Sequence, residues 1–245
     1  MMKIVMLINC IAPMAFIFVI VAGLPNLTFA TTFQLYTEEL PPYSMMEDNQ
    51  PVGISVEIVS LLFEKAQLDY EVRVVPWKRA FNTLQNKVDS CAFPVQRNQE
   101  REVVFHWISP ILITHTAFYT NKHSSLRIRT LEDARYLEIG SYGGSAIVDY
   151  LSNLKFIVRT TTKEENNIHK LIHNRIDIWA ADTNTAKYYS KKNNVQLKRH
   201  VVFFTTLRAL ACNIGVPDAV IEKLQITLKN MYEDGSISAV MNKYQ

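Results

Sequence analysis

No part of this 245-residue chain carries a glycine-rich phosphate loop with its lysine, or a dinucleotide fingerprint. Gly-x-Ser-x-Gly is absent as well, so Ser145 after Gly143-Gly144 reads first as a helix cap and not as a nucleophile. Basic residues nowhere gather with aromatics. The 26 Lys and Arg oppose 23 Asp and Glu for a formal charge of +3, and the short runs Lys191-Lys192 and Lys198-Arg199-His200 read as a solvated face. That balance excludes a nucleic-acid partner. Cysteine is scarce: Cys10, Cys91 and Cys212 are the whole supply, without zinc spacing. Cys10 has no small residues before it and is not a lipid-attachment site. Cys91 and Cys212 lie in apolar strand-like runs; export would let them bridge, and burial as two free thiols is at least as well supported. His169 and His173 stand one helical turn apart, a chelating spacing, but no glutamate adjoins the first and no third ligand is evident. They read as one face of a surface helix, and no metal or other cofactor is expected.

The first thirty residues differ from the rest. Lys3 is their only charge, Ile4 to Leu24 is almost wholly apolar, and Thr28-Phe29-Ala30 supplies a small-residue exit. These features read as a cleaved secretion signal over 1–30. The mature chain, 31–245, has room for one large domain or two modest lobes.

Along that chain, strands and helices alternate. Strand patterns cover 33–37, 70–75, 88–95, 111–120, 137–141, 155–160, 176–181 and 201–214. Helical spacing marks 55–66, 145–153, 164–174 and 184–192, and Pro76 opens another helix to about Gln85. The end, from Pro217 to Tyr244, is one amphipathic helix broken at Gly235-Ser236. The alternation indicates an α/β protein with mainly parallel sheets. In such sheets ligands bind beyond the carboxyl ends of strands. Two places qualify: the polar loop after Phe93 with Arg97 and Arg101, and the strand ending on Asp182. The turn Gly143-Gly144-Ser145-Ala146 adds outward backbone N–H groups at a helix start, a cradle for something negative.

The order of these pieces resembles family 3 extracellular solute-binding proteins of amino-acid ABC importers. The resemblance is carried by Thr37-Glu38-Glu39-Leu40-Pro41-Pro42-Tyr43, Pro51-Val52-Gly53, Val75-Pro76-Trp77-Lys78-Arg79-Ala80, Lys87-Val88-Asp89, Glu100-Arg101-Glu102 and Ser109-Pro110. It continues through Ile139-Gly140, Gly144-Ser145, Arg175-Ile176-Asp177, Asp182 and Asp234-Gly235, and covers essentially all of 32–245. It implies a periplasmic binding protein type II fold, two α/β lobes joined by two crossing hinge strands with a ligand cleft between them. Lobe 1 would be 31–113 with 206–245, and lobe 2 would be 114–205.

Carried over residue by residue, Arg101 would grip a ligand carboxylate, joined by Gly144, Ser145 and Ala146, and Asp182 would accept from its ammonium. Trp77 would line the side-chain pocket. Pro94, through its carbonyl, and Gln96 would serve the ammonium end, with Glu38 and Tyr43 nearby. Asn98, Leu40 and Ala146 depart from the residues usual at their positions and thin the shell around the head group. The resemblance implies a monomeric periplasmic protein that performs no chemistry, captures a small amino-acid-like solute and delivers it to an ABC permease. Two rivals share the scaffold: a dehydratase of cyclic dienyl acids, with Glu38 or Lys78 as acid or base, and a sensor presenting its ligand to a membrane receptor.

Overall fold

The computed structural model describes residues 31–97 and 101–244; the secretion signal read over 1–30, and Asn98, lie outside them. Strand β1 (Phe33–Thr37) is buried along its whole length, because it has parallel partners on both edges and is covered on both faces. It is followed by a small hairpin, β2 (Met45–Glu47) and β3 (Gln50–Val52), which periodicity alone did not reveal. Its two-residue turn, Asp48-Asn49, has both residues at positive φ, the demand that such hairpins place on their loops.

Helix α1 (Ile54–Lys65) buries Ile54, Ile58 and Leu62 on one stripe and Ser55, Val59 and Phe63 on the next. Each large side chain fully buried there stabilises the fold by roughly 1.5–3 kcal/mol. Then come β4 (Tyr70–Val74), α2 (Trp77–Asn86) with Pro76 at its N-cap, and β5 (Ser90–Gln96). The long β6 (Phe105–Asn121) leads through a 3-10 turn to β7 (Ile139–Tyr142), α3 (Ala146–Asn153), β8 (Val158–Thr161), α4 (Glu165–Ile172), β9 (Ile178–Asp182) and α5 (Thr183–Lys192). A second long strand, β10 (Leu197–Asn213), returns the chain to α6 (Asp218–Glu233) and α7 (Ser236–Lys243). The break falls at Gly235, in the left-handed region, as expected.

One eight-stranded sheet orders these strands β4-β1-β5-β10-β6-β9-β7-β8. Both ends are parallel; β10 and β6 run antiparallel through the middle, paired from Leu197–Asn121 to Asn213–Phe105, and so cross from one half to the other. On one side of the crossing, α1, α6 and α7 enclose a core that includes Leu35, Phe63, Ile108 and Met231. On the other, Trp179, Ile168, Phe118 and Ile139 belong to separate clusters. The molecule therefore has two α/β lobes joined by two crossing strands.

Two expectations change. The strand read as 111–120 begins at Phe105 and runs through Pro110, which sits where the β6–β10 register shifts and no ladder N–H is needed. Cys91 and Cys212 are not free thiols: β5 and β10 set them directly opposite each other, with Cα atoms 4.0 Å apart, and they form a disulfide. Two strand positions that look like buried thiols one at a time become cross-strand neighbours only through antiparallel pairing. His169 and His173 are exposed, with His173 Nδ1 2.8 Å from the carbonyl oxygen of His169, in keeping with a surface helix. No helix among the described residues is long and apolar enough to cross a membrane.

Candidate functional site

Strands β1, β5 and β7 end at one cleft between the lobes, β9 ends at a smaller chamber behind it, and β10 runs along the floor. The main cavity has a volume of about 500 Å³. On the first lobe its wall includes Glu38 just after β1, Trp77 at the start of α2, Pro94 and Gln96 at the end of β5, and Arg101. The second lobe contributes Tyr142 and the turn Gly143-Gly144-Ser145-Ala146, and the floor is Phe204 to Arg208. Eight of the ten residues singled out in the sequence thus border one cavity.

Arg101 lies over aromatic faces, its guanidinium carbon 5.2 Å from the ring centre of Phe81 and 5.7 Å from that of Trp77. This geometry rests a flexible cation on a preformed aromatic platform. Arg97 is gripped by both carboxylate oxygens of Glu102. Across the cavity, Gly144 takes φ +78° with open space where a Cβ would project, which lets the chain turn into α3. Ser145 caps α3: its Oγ accepts from the Val148 N–H at 3.4 Å and donates to the Tyr142 carbonyl at 2.8 Å. The Ala146 N–H, one of the orphan donors of the helix start, reaches over the cleft to Gln96 Oε1 at 3.1 Å. Gln96 Nε2 is buried without a partner.

Tyr43 and Asp182 do not border the main cavity. They line a smaller chamber of about 40 Å³ directly behind it, and Leu40, Tyr142, Ser145 and Arg208 belong to both. Asp182 is 7% exposed and caps α5, its Oδ1 accepting from the N–H of Asn184 at 3.0 Å and of Thr185 at 3.2 Å. The same oxygen takes a short hydrogen bond from the Tyr43 hydroxyl, which in turn accepts from Asn184 Nδ2 at 3.1 Å. Tyr43 is thereby a bridge between the lobes. Its position depends on Gly53, at φ +124°: a Cβ there would lie 2.6 Å from the Tyr43 carbonyl oxygen. With no side chain in the way, the Pro42 and Tyr43 carbonyls accept the first N–H groups of α1.

Burial sets the electrostatics. It lifts the carboxyl of Glu38 against the opposing effects of the Tyr142 hydrogen bond and the charge of Arg208. Tyr142, which donates to Glu38 Oε2 at 3.3 Å, is pushed up to about 12, mainly by burial and then by Glu38. Burial likewise raises Asp182, more than its hydrogen bonds and Arg208 lower it. Glu164, the other acid of the small chamber, is raised to about 7 although Trp179 Nε1 donates to it at 2.8 Å.

Sequence reasoning missed Arg208. Its guanidinium sits where both chambers meet, close enough to Glu38, Tyr43 and Asp182 to shift all three, and its Nε is buried without a hydrogen-bond partner. A signal was present: Arg208 is the one charge in the run Val201 to Cys212, an odd residue for an apolar strand.

Solved structures with the same architecture include a histidine kinase sensor domain with similarity to periplasmic binding proteins. It is 17% identical, covers 87% of this chain and 95% of its own, and has a TM-score of 0.78. The arginine-, lysine-, histidine-binding protein ArtJ from Geobacillus stearothermophilus matches at 19% identity over 87% and 95%, with a TM-score of 0.75. An ancestral amino-acid-binding protein, AncCDT-1, described as a precursor of cyclohexadienyl dehydratase, matches at 18% over the same shares, with a TM-score of 0.74. At these identities the likeness is one of fold. No curated protein sequence matches the chain. The family model for bacterial extracellular solute-binding proteins, family 3, matches residues 35–245, and the chain belongs to that family.

Proposed function

We propose that this protein is an exported, periplasmic solute-binding protein that holds a small amino-acid-like carboxylate between its lobes and delivers it to an ABC permease. The observation that carries the reading is that Arg101 and the N-terminal turn of α3 border one cavity from opposite lobes. A carboxylate between them takes the planar fork of Arg101 on one side and the helix N-terminus on the other. For that, Gln96 gives up the Ala146 N–H, and its own unpaired Nε2 gains an acceptor. The small chamber then receives the polar substituent next to the carboxylate. Trp77 packs on the remainder of the solute. Lobe 1 comprises 31–113 and 206–245, lobe 2 comprises 114–205, and the protein acts as a monomer.

Export agrees with the Cys91–Cys212 disulfide, a bond suited to an oxidising compartment, and with the extracellular family. Capture without chemistry agrees with a site whose polar groups are mostly committed to caps and to bridges between the lobes. The amino-acid-binding relatives support the solute class.

Thermal unfolding of the secreted protein against amino acids and other α-substituted carboxylates tests the reading. A solute at about a hundred times its Kd stabilises by about 2.7 kcal/mol, a rise of several degrees in Tm. Arg101→Ala is expected to weaken binding of that solute by about thirtyfold or more, the loss typical of a buried charge partner. Unchanged affinity in Arg101→Ala would remove the carboxylate assignment.

A further inference from the structure

The small chamber holds two buried groups of opposite need. Arg208 Nε and Asp182 Oδ2 both lack hydrogen-bond partners, and both residues line the same volume of about 40 Å³. Arginine can only donate, and an ionised aspartate can only accept. The guest that satisfies both is therefore a group that accepts from one and donates to the other.

An ammonium group donates only. It would leave Arg208 Nε orphaned and place its positive charge beside a guanidinium that never deprotonates. The three donors already on Asp182 Oδ1, from Tyr43, Asn184 and Thr185, further reduce what that carboxylate asks of a cation. Glu164 carries only part of a negative charge at neutral pH, since burial raises its carboxyl to about 7, and Trp179 already donates to it. The hydroxyl of Tyr43 is spent on Asp182, and that of Tyr142 on Glu38. A carbonyl or ether oxygen fails in the other direction, because it accepts from Arg208 and gives Asp182 nothing. Size agrees with a hydroxyl. About 10–15 Å³ admits a single water-sized group, so the chamber admits a hydroxyl on the carbon next to the carboxylate and has no room for a guanidinium.

We infer that this chamber reads a hydroxyl, and that the solute is a 2-hydroxy acid in preference to a 2-amino acid. The inference rests on the carboxylate reading above and names its ligand class; Arg208 is the residue that sets the choice.

Matched pairs test it by isothermal titration of the full secreted protein: 2-hydroxyglutarate with glutamate, 2-hydroxy-4-methylpentanoate with leucine, and 3-phenyllactate with phenylalanine. At least one hydroxy acid is expected to bind about tenfold or more tightly than its amino partner, the discrimination that an unpaired buried donor imposes. Arg208→Gln removes the charge that repels ammonium, so it is expected to shrink that ratio by about tenfold while the hydroxy acid still binds. If the tightest-binding of the six compounds is an amino acid, the inference is overturned and the carboxylate reading stands. Equal binding overturns it too, by showing that the chamber holds only water. If no member of any pair binds, the inference falls, and the carboxylate reading falls with it if no other carboxylate raises the Tm.

Discussion

Glu164 shows how one residue records its surroundings. The chain folds it against Trp179, and burial moves its carboxyl from 4.5 to about 7. Between those values the folded chain keeps a proton that the unfolded chain has lost. Stability contributed by this group therefore falls as pH rises from about 4.5 to about 7. Glu164→Gln keeps an acceptor for Trp179 and is neutral throughout, so its Tm relative to the parent is expected to improve from pH 5 to about pH 7 and then level off. A difference that stays flat over that range would show that Glu164 is not the group titrating. Glu38 and Asp182, raised by the same cause, add slopes of the same sign. Arg208, a permanent cation between them, keeps both acids from rising further.

At the scale of elements, the site depends on how helices begin. Helix α1 has no side-chain cap; its first N–H groups are met by backbone carbonyls of the Pro41–Tyr43 loop, an arrangement that only a residue without Cβ at position 53 permits. Gly53→Ala is expected to lower stability by about 2 kcal/mol or more, read from urea unfolding, since it adds both a clash and backbone strain. A cost of a few tenths would mean that the loop moves aside freely. Helices α3 and α5 start with ordinary side-chain caps, Ser145 and Asp182. Both caps face the cleft. Local helix chemistry and site construction here use the same atoms.

At the scale of the whole molecule, the two lobes touch through a small number of polar bridges. Tyr43 to Asp182 is the most enclosed, joined by Tyr142 to Glu38, Ala146 to Gln96 and Thr185 to Pro41. Tyr43→Phe removes the first and leaves Asp182 with only its backbone donors. Solute binding is expected to weaken by about 1–3 kcal/mol, with a smaller solute-induced compaction in small-angle scattering. Unaltered affinity and compaction would show that the bridge plays no part in closure. The disulfide acts on the same scale, because it ties positions 121 residues apart within one lobe. Cys91→Ala with Cys212→Ala is expected to lose about 2–5 kcal/mol of stability, measured by urea unfolding, while solute affinity stays near that of the parent.

Most elements were legible from local pattern. Local pattern located eight of the strands and six helical stretches, the last of them broken at Gly235 into α6 and α7, because such signals lie within a few residues of chain. The β2–β3 hairpin escaped because each strand is three residues long, too short for a period, although Asp48-Asn49 carried its turn signature. The membership of Arg101, Ser145 and Gln96 in one cavity was legible through resemblance, which supplied the long-range order that local pattern lacks. What only the tertiary structure decided concerns pairs far apart in sequence. Cys91 meets Cys212 by strand register, Tyr43 meets Asp182 across 139 residues, and Arg208 meets Asp182 at a chamber that no short stretch encodes. By itself the sequence determined the alternating strands and helices of an α/β protein, since hydrophobic period and capping are local; the two lobes were implied only by the family resemblance. Which polar groups were left without partners in the cleft depended on how the lobes came together, because burial and hydrogen-bond satisfaction exist only once distant segments are in contact.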